Sequence, residues 1–246
     1  IGRPPTCELD HGAFDVITPE SAYWTGFLFA DGTVGDYGGG SPSVILELAE
    51  KDLAHVEKFR AFLKSTHAIT KVVRNGGGML RGRKLPTRTA AAFRVRSSQL
   101  VNALRARGLA KSCPDRIPTT DIEDSVDLWR GLVDGDGTVR ITTDKHRPDC
   151  DYDSSKIFFG RCPSCPCYSY ASIILCGHMP LLEKFQAFLL RRGIAANITD
   201  TDSGIFQIRL MGSGAIAVIR ALYENATIAL SRKHQTAAEI LRLHSR

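Results

Sequence analysis

Residues 24–34 read WTGFLFADGTV, and residues 129–139 read WRGLVDGDGTV. The two stretches share Trp, Gly, Asp, Gly, Thr and Val in the same order and lie 105 residues apart. Each is an apolar run of helical length that reaches an Asp-Gly pair and continues into Thr-Val, a β-branched pair typical of the start of a strand. This constant offset predicts a duplicated unit.

Small residues lie four positions apart within each apolar run, for example Gly26 and Ala30, so each helix carries a flat strip on one face. Such strips let helices pack closely, and we expect the two copies to pack on each other. Packing would bring Asp31 and Asp136 together at two negative helix ends, which favours a hard divalent cation. The alternative, two unrelated core helices that end in Asp-Gly turns, leaves the duplication unexplained.

The composition limits the classes of protein that fit. The chain of 246 residues has a net charge of +6 and a pI near 9.0, which favours a polyanionic partner. No apolar run has membrane-spanning length and no signal pattern opens the sequence, so we expect an intracellular protein (cytoplasm, nucleoid or organelle matrix) with no membrane partner. Seven cysteines, an odd number, do not predict a secreted disulfide scaffold.

A second repeated pattern helps to locate the units. Residues 56–63 read VEKFRAFL and residues 182–189 read LEKFQAFL, 126 residues apart. Because this offset exceeds the first by 21 residues, the second unit must contain an insertion after its motif, which we place near residues 144–167. The predicted organisation is an N-terminal extension, a first repeat and a second repeat, over residues 1–17, 18–120 and 121–246.

Each repeat is predicted to contain helix, two strands, helix, two strands, helix. Thr18, followed by proline, is a good N-cap for the first motif helix. The second strand pair of the first repeat is predicted over residues 69–74 and 91–96, with a loop between the strands. The corresponding pair in the second repeat is predicted over residues 194–199 and 205–210.

These features resemble the two motifs of single-chain LAGLIDADG homing endonucleases. The resemblance implies an α+β fold with two pseudo-symmetric αββαββα repeats, packed through paired motif helices, whose antiparallel sheets form a DNA-binding saddle. It also implies a monomer that binds a double-stranded DNA target. The implied activity is a sequence-specific, divalent-metal-dependent endonuclease of intron homing, which makes a double-strand break with short 3′ overhangs.

The same resemblance assigns the metal ligands. The motif acids hold Mg²⁺, with Ca²⁺ or Mn²⁺ as substitutes, and carbonyl oxygens of the preceding residues join them. Carboxylate and carbonyl oxygens are the ligands that such hard cations prefer. The implied metal-binding positions are Asp31 and Asp136, with the backbone of Ala30 and Gly135 beside Gly32 and Gly137.

Three further residues match polar positions of the family's catalytic site. Lys111 and Lys233 are the best matches for a lysine that positions or activates water in each half, although each fits a solvated surface lysine as well. Glu50 matches a position near the metal-bound water, but its counterpart in the second repeat is Cys176. Asp134, which replaces Phe29 of the first motif, is interpreted as an auxiliary carboxylate.

Positive charge concentrates in residues 71–116, which contain twelve Lys or Arg and one acid, Asp115. Strand alternation separates Phe93 from its neighbour Arg94, so the arginines face away from the core. Arg and Gln on such strands can read base edges, and loop cations suit phosphates, although a merely solvated face fits any single residue. The predicted DNA-binding residues are Arg74, Arg81, Arg83, Lys84, Arg88, Arg94, Arg96, Arg140, Thr142, Gln207 and Arg209.

The insertion contains a cysteine cluster with two interpretations. Cys162 and Cys165 form a Cys-x-x-Cys pair that, with two ligands from Cys150, Cys167 and His146, could hold a structural Zn²⁺. Packed free thiols are the other interpretation. A redox disulfide is disfavoured, because no thioredoxin-like pattern surrounds the cluster.

Two other functions use the same fold. One is an RNA maturase that aids intron splicing, and the other is a catalytically inactive DNA-binding regulator. The presence of both motif acids, Asp31 and Asp136, counts against the inactive protein. It does not exclude maturase activity.

Overall fold

A computed structural model gives the structure of the chain, which divides into two compact units, Ile1–Ile122 and Glu123–Arg246. Two pairs, residues 79–80 and 83–84, are described for the backbone only. The residues described are 7–36, 41–76, 79–80, 83–84, 87–110, 115–143, 160–162, 165, 167–201 and 205–244. Among these residues, no helix combines the length and apolar composition needed to cross a membrane.

The first unit consists of one antiparallel sheet with helices. Its strands run in the order β1-β2-β6-β3, while β4 and β5 form a separate hairpin within the segment predicted as a loop. The elements are α1 (Pro19–Asp31), β1 (Gly32–Gly35), β2 (Ser43–Ala49), a short 3₁₀ turn (Glu50–Asp52), α2 (Leu53–Phe62), β3 (Ile69–Arg74), β4 (Met79–Leu80), β5 (Arg83–Lys84), β6 (Arg88–Arg96) and α3 (Ser98–Ala106).

The start of α1 is fixed by a reciprocal cap. The Thr18 side chain accepts a hydrogen bond from the Ser21 backbone N–H at 3.1 Å, and the Ser21 hydroxyl accepts one from the Thr18 N–H at 2.9 Å. The predicted N-cap is therefore confirmed. From Ser21 to Phe29 every residue of α1 is buried, so this helix passes through the core of the unit.

The second unit repeats this plan. Its sheet runs in the order β7-β9-β11-β10, which matches β1-β2-β6-β3 element by element. The strand expected around residues 194–199 begins only at Ile198. The elements are α4 (Val126–Asp136), β7 (Thr138–Thr143), β8 (Gly160–Arg161), β9 (Tyr168–Gly177), α5 (Met179–Leu190), β10 (Ile198–Asp200), β11 (Phe206–Met211), α6 (Gly212–Tyr223) and α7 (Ser231–His244).

Core contacts are duplicated as well. The Trp24 ring lies 4.9 Å from Phe59 of α2, and the Trp129 ring lies 5.0 Å from Phe185 of α5. Both phenylalanines belong to the second repeated pattern, so each motif helix packs on the same neighbour within its own unit. The α+β fold with two equivalent repeats is confirmed. The insertion lies between β7 and β9, and its short strand β8 pairs with β9.

Candidate functional site

Each motif helix ends in an exposed acid. Asp31 is the last residue of α1 and Asp136 is the last residue of α4, and both side chains lie at the surface although the preceding turns are buried. The apolar body of the helix anchors it in the core, so the position of the carboxylate is fixed by packing. A rigid element with an exposed acid at its end is suited to holding a cation.

The glycine after each acid lets the chain leave the helix sharply. A Cβ on Gly32 would lie 2.5 Å from the carbonyl oxygen of Leu28, and a Cβ on Gly137 would lie 2.6 Å from that of Val133. Such contacts are far inside van der Waals distance, so a side chain is excluded at both positions. The strand therefore starts directly beside the acid, which places the sheet next to the end of the helix.

Lys233 occupies the end of α4, but in an unexpected way. It is 4% exposed, and its ammonium group donates to the carbonyl oxygens of Val133, Asp134 and Gly137 at 2.7, 2.6 and 2.6 Å. An ammonium has three N–H bonds, and these three short contacts can occupy one each. These contacts support a structural role for Lys233, and its role in positioning or activating water stays a prediction.

Arg116 holds the equivalent place at the end of α1. It is 7% exposed, and its guanidinium donates to the carbonyl oxygens of Phe29 and Gly32 at 2.8 and 3.0 Å and to that of Leu28 at 3.4 Å. Sequence reasoning missed this residue, because it counted Arg116 as one of twelve cations in a basic segment. No signal in the sequence singles it out, because polar residues, among them Asp115, surround it.

The other predicted catalytic residues lie elsewhere or outside the described structure. Lys111 falls outside the described residues, so its role stays a prediction. Glu50 lies in the 3₁₀ turn after β2 and pairs with the exposed Lys71 at 2.7 Å. Its counterpart Cys176 lies near Asp136: burial raises the pKa of the Cys176 thiol, and the negative charge of Asp136 raises it further.

Asp134 is a buried structural acid. Its carboxylate accepts hydrogen bonds from the Tyr223 hydroxyl and the Leu230 backbone N–H, both at 2.7 Å. Burial, followed by the charge and the hydrogen bond of Asp134, raises the pKa of Tyr223 well above its ordinary value. Asp134, interpreted from the sequence as an auxiliary carboxylate, is fully buried and ties α4 to Tyr223 of α6 and to Leu230 beyond it.

The ligands at the helix ends are too few to hold a metal through protein atoms alone, and they fit magnesium that is also bound by substrate and water. Among the residues that the structure describes, no group of three or more His, Cys, Asp or Glu side chains could hold a metal ion. Mg²⁺ commonly binds through one or two carboxylates together with substrate phosphates and water. One exposed carboxylate, Asp31 or Asp136, beside the half-buried backbone of Ala30 or Gly135 is compatible with that mode.

The sheet of the first unit exposes arginines on one face. Phe93 and Val95 of β6 are 0% and 1% exposed, whereas Arg94 and Arg96 between them are exposed, as strand alternation predicts. Arg88 lies on the same face at the other end of the strand. These three side chains form a row along β6 that faces away from the core.

Other basic residues of this segment form hydrogen bonds with groups of the first unit. Arg74 donates to both carboxylate oxygens of Glu47, at 3.0 and 2.7 Å, and this contact raises its pKa. Arg107 is buried and donates to the Phe14 carbonyl at 2.5 Å and to the Thr25 hydroxyl at 3.2 Å. The charge count for residues 71–116 therefore overstates the cations open to a ligand. Arg81 and the side chains of Arg83 and Lys84 are not described.

The second sheet has a similar open face. Arg140 of β7 and Arg209 of β11 are exposed, while Ile208 beside Arg209 is buried. Gln207 is half-buried on the same face as Arg209. The Thr142 hydroxyl oxygen is buried and has no hydrogen-bond partner among the described residues, which makes it a weaker candidate for base contact.

The cysteine cluster departs from the prediction. Cys165 and Cys167 form a disulfide, so in this form neither offers the thiolate that zinc requires. The sequence disfavoured a redox disulfide only, and it gave no prediction for a pairing of Cys165 with Cys167. Cys162 is buried and forms no disulfide, and Cys150 and His146 lie outside the described residues. Zinc binding by the reduced cluster stays a prediction.

Comparisons with known proteins agree with this architecture. Residues 125–221 match the family model of the LAGLIDADG-like domain, while no curated protein sequence matches the chain. The structure is similar to that of the LAGLIDADG meganuclease I-AabMI bound to uncleaved DNA, with a TM-score of 0.54 and 13% identity over 93% of this chain and 92% of that one.

Two further structures show the same likeness. The meganuclease I-SmaMI bound to uncleavable DNA has a TM-score of 0.56 and 13% identity, and covers 91% of this chain and 90% of its own. The homing endonuclease I-WcaI bound to its DNA recognition sequence has a TM-score of 0.56 and 11% identity, and covers 88% and 85%.

The fold is thus that of the meganucleases that carry two repeats in one chain. Residues 125–221 match the model of the LAGLIDADG-like domain, and the first unit repeats the strand order of the second. The resemblance drawn from the paired motifs is confirmed.

Proposed function

We propose that this chain is a site-specific DNA endonuclease that requires a divalent metal ion and acts as a monomer. It cuts both strands of a double-stranded target and leaves short 3′ overhangs, an activity of the kind used in intron homing. The overhang and the homing role follow from the family resemblance.

One observation supports the proposal above all others. Asp31 and Asp136 are exposed at equivalent ends of two buried helices, in two units with the same strand order. A binding protein without catalysis needs no acid at these positions, and negative charge there would repel phosphates. Keeping both acids at the surface is understandable if each holds a cation against DNA.

The sheets supply the binding surface in this proposal. Exposed arginines on one face of each sheet, such as Arg94 and Arg209, can donate paired hydrogen bonds to guanine O6 and N7. Cations of the β4–β5 hairpin would instead contact phosphates and fix the register of the protein on the duplex. The similar meganuclease structures bound to DNA support a DNA-binding surface for this fold.

Phosphodiester hydrolysis needs a water molecule directed at phosphorus and stabilisation of the charge on the leaving oxygen. Magnesium, when bound, supplies that charge stabilisation and lowers the pKa of water. Asp31 and Asp136 would each hold a magnesium ion through the carboxylate, with the backbone of Ala30 or Gly135 beside it. Lys111 remains the proposed water-positioning cation.

The test begins with the target. Selection of cleaved sites from a randomised duplex library with magnesium should return one enriched sequence, and chelation should abolish cleavage. Asp31→Asn or Asp136→Asn should then eliminate double-strand cleavage while target binding persists, because each change removes a metal ligand from an exposed position with little packing.

Matched controls are available in both units. Asp36→Asn and Asp124→Asn remove exposed acids that pair with Arg105 and Arg191 at 3.6 and 2.6 Å, and both variants should cleave normally. Failure to recover any cleaved duplex, despite sequence-specific binding, would favour the regulator. Preferential binding of structured RNA would favour the maturase.

A further inference from the structure

We propose that Arg116 and Lys233 are equivalent positioning residues, each of which holds the end of a motif helix so that its acid is set for metal binding. This inference rests on the proposed function, in which Asp31 and Asp136 hold the metal. The two cations come from unlike places, since Arg116 lies in the segment after α3 and Lys233 lies in the first turn of α7.

Arg116 and Lys233 are equivalent because they donate to backbone oxygens at equivalent positions of the two motifs. Arg116 donates to the carbonyls of Leu28, Phe29 and Gly32, and Lys233 donates to the residues 105 positions later in each case. The acceptors are therefore the third and second residues before the acid and the first residue after it. Two different side chains that reach the same three backbone oxygens indicate a shared requirement of the helix end.

The requirement is electrostatic. The last carbonyls of a helix carry partial negative charge and have no partner within the helix. Neither α1 nor α4 has a basic residue in its last turn, and each adds a carboxylate there. A buried cation from another element offsets this charge and donates to the carbonyls of the last turn, of which those of Leu28 and Val133 also accept from the N–H of Gly32 and Gly137. Without the cation, the acid would lie at a helix end with net negative charge.

The pattern also leaves room for a metal ion. In the first unit the acceptors of Arg116 flank Ala30, whose carbonyl is a predicted metal ligand. In the second unit the Gly135 carbonyl lies 3.4 Å from the Lys233 ammonium, farther than the carbonyls of Val133, Asp134 and Gly137. Each cation thus fixes the turn through neighbouring carbonyls and stays farthest from the one beside the acid.

The test separates positioning from water activation. Lys233→Met and Arg116→Met remove the charge, whereas Lys233→Arg and Arg116→Lys keep it with altered donor geometry. Arg242→Met and Arg105→Met are matched controls, because these arginines are exposed on the surfaces of α7 and α3. Backbone amide hydrogen exchange and the magnesium midpoint for cleavage of the selected duplex are measured for each protein.

We expect the methionine variants to exchange faster at the end of their own motif helix, at residues 30–33 or 135–138, with protection elsewhere preserved. The magnesium midpoint should rise about 10-fold or more, as is typical when a group that orients a metal ligand is lost. Calcium binding to the uncleaved complex should weaken in parallel. The charge-keeping swaps should recover most of the loss, and the controls should match the wild type.

Two results would overturn the proposal. A Lys233→Met protein with a lower maximal rate but an unchanged magnesium midpoint and unchanged exchange would restore the water-activating role. If the methionine variant does not fold, a Lys233→Arg protein with a lower maximal rate but an unchanged magnesium midpoint and unchanged exchange at residues 135–138 would do the same. Absence of magnesium-dependent cleavage by the wild type would reject the proposed function instead, and the exchange measurements would still decide whether the cations hold the helix ends.

Discussion

The glycines that follow the motif acids are required by contact and not by backbone conformation. Gly32 has φ −84° and Gly137 has φ −81°, values that any residue adopts. What excludes a side chain is the carbonyl of the preceding turn, 2.5 or 2.6 Å from the Cβ position. Glycine therefore follows the acid in each motif because the chain turns from helix to strand too close to this carbonyl for a side chain to fit.

Gly32→Ala or Gly137→Ala should destabilise the protein by about 1–3 kcal/mol, because the added methyl group displaces backbone and not a flexible side chain. The control is Gly214→Ala in α6, where the nearest atom is a leucine methyl at 3.1 Å. Alanine favours a helix over glycine, so this variant should keep or gain stability. Chemical denaturation midpoints measure both, and equal midpoints for all three variants would contradict the contact argument.

The buried Tyr223–Asp134 pair predicts a change of stability with pH. The pKa of Tyr223 is raised well above 10.0 in the folded protein, so the fold keeps a proton that the unfolded chain loses. The stabilisation is complete below the unfolded pKa and is lost as pH rises toward the folded pKa. Relative to Tyr223→Phe, the wild type should lose up to about 1.4 kcal/mol of unfolding free energy per pH unit above about pH 10.

Denaturation of both proteins between about pH 8 and pH 11 checks this expectation. At neutral pH Tyr223→Phe should be less stable by about 1–3 kcal/mol, since the Asp134 carboxylate loses a buried donor. Parallel stability curves for the two proteins at high pH would show that Tyr223 is not the titrating group.

At the scale of elements, the β6 strand and the β4–β5 hairpin should affect DNA binding differently. Arg94→Ala on β6 should relax preference at particular base pairs, by about 1–3 kcal/mol for a bidentate contact. Replacing Arg81, Arg83 and Lys84 together should weaken binding to all sequences and flatten its salt dependence.

Binding to the selected target and to a scrambled duplex over a salt series distinguishes the two effects. Lys64→Ala is the control, because Lys64 is an exposed cation that pairs with Asp10 at 3.0 Å and lies outside both elements. An unchanged salt slope in the triple variant would place the phosphate contacts elsewhere.

At the scale of the whole molecule, one chain contains both repeats and should act alone. A mixture of Asp31→Asn and Asp136→Asn proteins should therefore stay inactive, because neither chain carries both acids. Restored cleavage in the mixture would show that acids from two chains can combine. The control is a mixture of either variant with wild type, in which cleavage should scale with the wild-type protein present.

The sequence by itself determined the repeated architecture. The paired motifs and the two EKF segments carry the core tryptophans and phenylalanines, and apolar patterning is a local property that survives in the sequence. The exposed acids and the alternation along β6 were predicted for the same reason. The start of one strand in the second repeat was predicted four residues too early, because Ile194 is apolar and buried yet precedes the strand that begins at Ile198.

Only the tertiary structure decided which charged residues serve the fold and which stay exposed. Arg116 and Lys233 are 117 residues apart, an offset that matches neither repeated pattern, so no comparison of the two halves within the sequence pairs them. They are equivalent because each reaches the same carbonyls at the end of a motif helix. A buried polar contact depends on which distant segments pack together in the folded chain. Residue type and spacing along the sequence do not predict that packing.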